Sequence, residues 1–307
     1  MKGKPALAIN RRTGDHGAMT RTLFCFGYGY TAQALSRRLL PQGWQVFGTT
    51  RRPENLDQLG ATGATALLWP SRDITTALHT ASHLLISASP DAQGDPVLQA
   101  LGDEITQIAP NLTWAGYLST TGVYGDTGGD WVSEDTPINP STQRGQRRKA
   151  AEQAWRAIPN LPLHIFRLAG IYGPGRGPFA KLRAGTARRI IKPGQMFSRI
   201  HVDDIAQVLA ASMDRPNPAA IYNVCDDMPA PPQDVISYAA SLLGMPPPPE
   251  VPFEQAEMSP MARSFYAESK RIRNDRIKSE LGVELLYKDY KSVLTAMLES
   301  ERADRTD

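Results

Sequence analysis

The chain has 307 residues, with 34 Lys plus Arg against 31 Asp plus Glu, and two cysteines. Such a length carries one large domain or two modest ones, with enough apolar content for a full core. The net charge of +3 is too balanced to point to nucleic acid, and no apolar run reaches the length of a membrane span.

Met1 to Thr20 mixes basic and small residues without the apolar segment of a secretion signal. We expect a disordered leader there, or a true translation start at Met19, and a cytoplasmic protein. Cys25 and Cys225 sit in apolar, strand-like contexts, so two buried thiols are expected rather than a disulfide. Neither has neighbours at metal-ligand spacing, and no metal is expected.

Leu23-Phe24-Cys25-Phe26 is a short apolar run ending in glycine, the pattern of a buried parallel strand. Thr31 to Leu40 has helical spacing, with Ala32, Leu35, Leu39 and Leu40 on neighbouring faces. Gly43 to Gly48 supplies a second strand, which completes one βαβ unit. Further strands are expected at 83–88, 115–119 and Leu163 to Leu168, with a helix from Arg144 to Ala157 between the last two. This alternation predicts an α/β fold with a Rossmann-type, doubly wound parallel sheet.

After Gly170 the composition changes. Gly and Pro cluster from Gly173 to Pro178, and Pro246 to Pro249 form a stiff stretch. Helices are expected near Gln233 to Leu243 and Asn274 to Leu281, with a return to the sheet at Ala220 to Val224. The predicted division is a leader (1–20), a nucleotide-binding domain (21–169, with a return near 201–228), a smaller C-terminal substrate-binding lid (170–200 and 229–300) and a frayed tail (301–307).

Gly27-Tyr28-Gly29-Tyr30-Thr31-Ala32 has the form G-x-G-x-x-A and stands between the first strand and the first helix. Gly27 permits the tight turn, Gly29 lets backbone approach a pyrophosphate, and Ala32 lets helix and strand pack closely. The helix N-terminus offers its N–H groups to the phosphates. Tyr28, Tyr30 and Thr31 belong to the same cofactor turn, and Ser87, Ala88 and Ser89 are placed on the cofactor from the end of a later strand. An NAD site usually puts a carboxylate at the end of the second strand. Here Thr49-Thr50-Arg51-Arg52 stands instead, and guanidinium groups suit a 2′-phosphate. NADP is expected ahead of NAD, with a merely solvated basic loop as the plainer account of Arg51 and Arg52.

Ser119-Thr120-Thr121-Gly122-Val123-Tyr124-Gly125 resembles the S-S/T-x-x-V-Y-G segment of the extended short-chain dehydrogenases/reductases, the epimerase and dehydratase group. Arg167 to Arg176 is similar to that family's R-x-x-x-x-Y-G-P-G stretch, Ile200 to Ala206 to its H-V-x-D motif, and Tyr222-Asn223-Val224 to its Y-N-V strand. These segments stand in family order across residues 22–295. The resemblance implies that Thr120 is the catalytic hydroxyl, bonded to a substrate oxygen. His201, Asp203 and Asp204 are expected to fix the junction between domains.

One departure concerns the family's Y-x-x-x-K helix, where tyrosine is the acid/base and lysine binds the nicotinamide ribose. Lys149 is preceded four positions earlier by Gly145, and no tyrosine occurs between Tyr124 and Tyr172. Lys149 is expected to keep the ribose, with a water in the space left by Gly145. The pattern resembles the atypical, YeeZ-like branch, which lacks the tyrosine. Tyr124, Tyr172, Glu134 or a lid residue remain as replacement acids.

The resemblance implies an NADP-dependent oxidoreductase or epimerase acting on a small polar, sugar-nucleotide-like substrate. Dehydratase chemistry is disfavoured, because Thr121-Gly122 stands where related dehydratases have Asp-Glu. The competing class is a non-catalytic NADPH sensor. The basic stretch Arg144, Arg147, Arg148 and Lys149 has no interleaved aromatics of the kind that stack bases. A monomer or a homodimer is expected.

Overall fold

Leu23 and Cys25 pack into one apolar cluster, and Phe24 and Phe26 into another. That is the signature of a strand covered on both faces, and it explains the unbroken apolar run. In the computed structural model, which describes residues 21–303, this strand (β1, Thr22–Phe26) lies inside a seven-stranded sheet. The others are Gln45–Thr50 (β2), Thr65–Leu68 (β3), His83–Ile86 (β4), Trp114–Thr120 (β5), Leu163–Leu168 (β6) and Ile221–Val224 (β7). Their order is β7-β6-β5-β4-β1-β2-β3, and all the pairings are parallel. The chain reverses direction across the sheet between β1 and β4. In open α/β sheets a ligand crevice forms at that switch point.

Helices α1 (Tyr30–Leu39), α2 (Arg72–Leu78), α3 (Pro96–Ile108), α4 (Gln143–Arg156) and α5 (Val202–Asp214) cover the sheet. Ala32, Leu35 and Leu39 of α1 share a cluster with Ile205, Val208 and Leu209 of α5. On the opposite face Ile74, Val97, Ile105 and Trp155 bring in α2, α3 and α4. The doubly wound sheet expected from the sequence is present. The sequence expectations do not include β3, α2 or α3, and they treat the start of α5 as a motif alone. Yet the α5 residues Val202, Ile205, Val208 and Leu209 are all fully buried at helical spacing.

Helix starts follow local chemistry. Asp95 Oδ1 accepts from the N–H groups of Val97 and Leu98, with Pro96 at the first position of α3. Thr142 Oγ1 accepts from Gly145 N at 3.2 Å to open α4. His201 Nδ1 accepts from Asp203 N at 3.2 Å to open α5.

A third apolar cluster forms the C-terminal lid. Val235 and Ala239 of α6 (Pro232–Leu242) pack with Phe179, Leu182 and with Val293 and Leu294 of α8 (Tyr290–Ala303). A short helix, α7 (Pro260–Phe265), lies between them in sequence. Parallel two-stranded pairings tie the lid down: Gly170–Tyr172 with Arg199–His201, and Trp131–Val132 with Arg271–Ile272. The Asp204 carboxylate accepts from Leu286 N at 2.7 Å and Tyr287 N at 3.1 Å, so α5 also holds the C-terminal segment. Helix α8 carries regular structure to Ala303, where the sequence suggested a frayed tail. Residues 1–20, with the proposed start at Met19, and 304–307 lie outside the described residues. No helix among the described residues is long and apolar enough to cross a membrane.

Candidate active site

At the sheet's switch point the turn after β1 is built around Gly27, whose φ of +85° suits glycine. A Cβ there would also stand 3.1 Å from Ala88 N, so the loop after β4 needs the small residue. Thr49 ties the turn to β2. Its Oγ1 accepts from Gly27 N at 2.8 Å, and its carbonyl accepts from Tyr28 N at 2.9 Å. Gly29 faces open space, with nothing within 4 Å of a built Cβ. Helix α1 then begins with no side-chain cap and no acid in its first turn. Uncapped N–H groups with no carboxylate nearby suit a pyrophosphate, so these residues fit a dinucleotide.

The other expected cofactor residues divide. Gly29, Tyr30, Thr31, Ser87 and Ser89 line a cavity of about 840 Å³. Ala32 is fully buried and serves packing. Tyr28 is buried, with its ring filling the place a side chain would take at Gly48 and its hydroxyl 3.0 Å from Thr62 Oγ1. It can offer the cofactor only backbone. Arg51 and Arg52 are exposed just past the end of β2, outside the cavity lining. Arg176 lines the cavity beside the glycine turn, its guanidinium 4.3 Å from the centre of the Tyr30 ring.

Thr120 closes β5 on the cavity wall. Its Oγ1 accepts from Gly122 N at 3.2 Å, which leaves the hydroxyl proton for an outside acceptor. Next to it runs α4, and here the structure corrects the sequence reading. Lys149 does not line the cavity, whereas Arg144 and Arg148 both do. Arg148 Nη1 donates to Leu118 O at 2.6 Å and Nη2 to Ser89 Oγ at 2.9 Å. The pair of positions facing the cavity at i, i+4 spacing is therefore Arg144 and Arg148. Nor does Gly145 leave room for a water, because a Cβ there would already stand 2.7 Å from Gly122 O and 2.8 Å from Pro140 Cβ. Gly145 lets α4 lie tight on the turn that carries Thr120.

The three replacement acids are also corrected. Tyr124 is 2% exposed, donates to Asn223 Oδ1 at 2.7 Å and accepts from Arg167 Nη1 at 3.0 Å. Burial pushes its pKa up, and it is absent from the cavity wall. Tyr172 donates to Asp226 Oδ2 at 2.7 Å, and Glu134 Oε1 accepts from Asn223 N at 2.8 Å. Both are buried in the structural joints of the lid. Beneath them Arg167 and Glu152 form a buried ion pair at 2.9 Å, and Glu152 accepts from Ser119 Oγ at 2.5 Å.

The lid supplies polar residues that the sequence expectations leave unnamed. Tyr266, Glu268 and Lys270 line the cavity with Arg199. Lys270 Nζ donates to Glu268 Oε2 at 2.7 Å, and Glu268 Oε1 accepts from Ser141 Oγ at 2.7 Å. Both charges are buried. Backbone bonds deliver them: Thr127 N and Gly129 N donate to Ser269 O, and Ser269 N donates to Asp126 Oδ1. The segment is thus stitched to the loop that follows Thr120. The burial of Tyr266 raises its pKa, and Arg199 works against that rise. The i, i+4 spacing of Arg144 and Arg148 is shared by Gly145 and Lys149 and so does not single out the pair, and Ala267-Glu268-Ser269-Lys270 carries no signal.

No protein-family model matches the chain. It is 30% identical over 276 residues to protein YeeZ of Escherichia coli K12, which covers 86% of this chain and 95% of that protein. A functionally unknown conserved protein from Silicibacter pomeroyi is 62% identical, with a TM-score of 0.89 over 92% of this chain and 99% of that one. The human epimerase family protein SDR39U1, solved with NADPH, shares the fold at 16% identity, with a TM-score of 0.72 over 91% and 99% of the two chains.

Proposed function

The chain belongs to the family of Escherichia coli protein YeeZ, and from that premise we propose that it binds NADP(H) as an oxidoreductase or epimerase acting on a small polar substrate. One observation carries the reading. A single cavity joins the uncapped N-terminus of α1 to Thr120 and to the charged wall of Arg144, Glu268 and Lys270. A cofactor end and a chemistry end share one space, as hydride transfer requires. The shared fold of the human protein solved with NADPH supports the same reading.

Gly27, Gly29, Thr31, Ser87 and Ser89 would hold the dinucleotide, which when bound supplies or accepts a hydride. Arg148 would stand by the ribose in the place expected of Lys149, since its guanidinium already reaches Ser89. Arg51 and Arg52 favour NADP over NAD, because guanidinium groups at the end of β2 attract a 2′-phosphate. Thr120 donates its hydroxyl proton to a substrate oxygen, with Gly122 N fixing the rotamer. Lys270, held by Glu268, is a lid group on the cavity wall with protons to give. The substrate is small and polar because the wall it meets is charged.

Calorimetry with NADPH and NADH tests the reading. Tight NADPH binding with weaker NADH is expected, and no binding of either would overturn it. The alternative, a non-catalytic NADPH sensor, draws on one feature. Arg144 lines the chemistry end of the cavity, and a guanidinium does not release a proton at neutral pH. NADPH binding without oxidation across a panel of carbonyl compounds would favour the sensor.

A further inference from the structure

Cations outnumber acids on the chemistry side of the cavity, where Arg144, Arg199 and Lys270 face Glu268. They are not equivalent. Arg199 Nη1 donates to Phe197 O at 3.1 Å and Ala230 O at 3.2 Å. The Lys270 ammonium is matched by Glu268 at 2.7 Å. Arg144 makes no hydrogen bond and no ion pair among the described residues. Its guanidinium sits 4.3 Å from the centre of the Phe265 ring, at the end of α7.

Stacking on a ring occupies the face of a guanidinium and leaves its N–H edge available. An arginine carries five such donors in a planar fork that matches a carboxylate or a phosphate. Partial desolvation draws the Arg144 pKa down and Glu268 opposes it, yet the group stays charged at neutrality. Arg144 is exposed at the cavity wall, so its N–H edge is open to an anion that enters from solvent. Arg144 also stands one helical turn before Arg148 on the same face of α4, beside Thr120.

We infer that Arg144 is the substrate-recognition residue of this cavity, and that it takes an oxyanion, a carboxylate or a phosphate carried by the substrate. This rests on the dinucleotide-enzyme reading and sharpens it, because the substrate is then an anion and not a neutral carbonyl compound or alcohol. Arg144 anchors the anion while Thr120 meets the oxygen at the reacting centre. Phe265 on α7 holds the plane of the guanidinium, so the lid sets the direction from which the anion is read.

Inorganic phosphate and malonate are the two probes, titrated by calorimetry at constant ionic strength with and without saturating NADP+. Wild-type protein, Arg144→Gln and Arg144→Lys are compared, each checked for an unchanged melting curve without added anion. We expect wild type to bind at least one probe and the glutamine variant to lose about tenfold or more. The lysine variant keeps the charge without the fork and recovers part of the affinity. NADP+ affinity should stay the same in all three. The stronger probe identifies the oxyanion as phosphate or carboxylate. Equal affinity in all three proteins, or no binding of either probe to wild type, overturns the inference. Absence of NADP+ binding with Arg144-dependent oxyanion binding intact strikes the dinucleotide reading and upholds the anion subsite.

Discussion

Gly145 packs against Gly122 so closely that an added Cβ would stand 2.7 Å from the Gly122 carbonyl oxygen. This contact sets the distance between α4 and the turn carrying Thr120. Alanine in a helix interior is ordinarily better than glycine by about 0.5–1 kcal/mol. Here the overlap is with backbone, and overpacking costs about 1–3 kcal/mol. Gly145→Ala is expected to lower the melting temperature, and Gly145→Tyr to lower it further without creating reductase activity. A tyrosine variant as stable as wild type would show that α4 can lift away.

The proposed preference for NADP draws on Arg51 and Arg52 at the end of β2. Arg51→Asp is expected to weaken NADPH by about 1–3 kcal/mol, the range for a charge-assisted bond, and to favour NADH. Calorimetry reads both affinities directly. Unchanged NADPH affinity in the Arg51→Asp, Arg52→Asp double variant would mean that these side chains are simply solvated.

Glu152 accepts from Arg167 Nε at 3.2 Å and Arg167 Nη2 at 2.9 Å, with Arg167 only 3% exposed. Removing one partner of such a pair strands the other, at a cost of about 3–5 kcal/mol. Glu152→Ala should therefore unfold at markedly lower denaturant, with Ser119 also losing its acceptor. A change under about 1 kcal/mol would indicate that water replaces the carboxylate.

Asp226 is 1% exposed and accepts from the Tyr172 hydroxyl. Burial pushes its pKa up from 3.8 to about 7, and burial likewise pushes Asp204 up to about 6. A carboxyl raised on folding binds its proton more tightly in the folded chain. The stability it contributes is present below its unfolded value and is lost as pH rises through its folded value. These two groups should make stability fall between about pH 4 and pH 7, by at most about 1.4 kcal/mol per pH unit for each group. Asp226→Asn keeps an acceptor for Tyr172 and should flatten that slope in denaturant melts. An identical slope in the variant would place the titration elsewhere.

The sequence by itself determined the parts that rest on nearest neighbours along the chain. An apolar run buried on both faces, a glycine turn and an amphipathic helix follow one another in β1, Gly27 to Gly29 and α1, and that order is enough for a βαβ unit. Thr120 came from the family resemblance, and its place at the end of β5 puts it on the cavity wall. The helix phase of α4 was not legible. Successive residues on a helix differ by about 100° in direction, so reading the pair as Gly145 and Lys149 or as Arg144 and Arg148 turns on a single position. The contact of Gly145 with Gly122 accompanies a helix phase that turns Arg144 and Arg148 to the cavity, and no pattern within α4 encodes that contact. Lys270 and Glu268 were invisible for a related reason. Their place beside Thr120 comes from backbone bonds between Ser269 and the loop 126–129. Backbone groups are the same in every residue but proline, so the sequence leaves no mark where such a stitch will form.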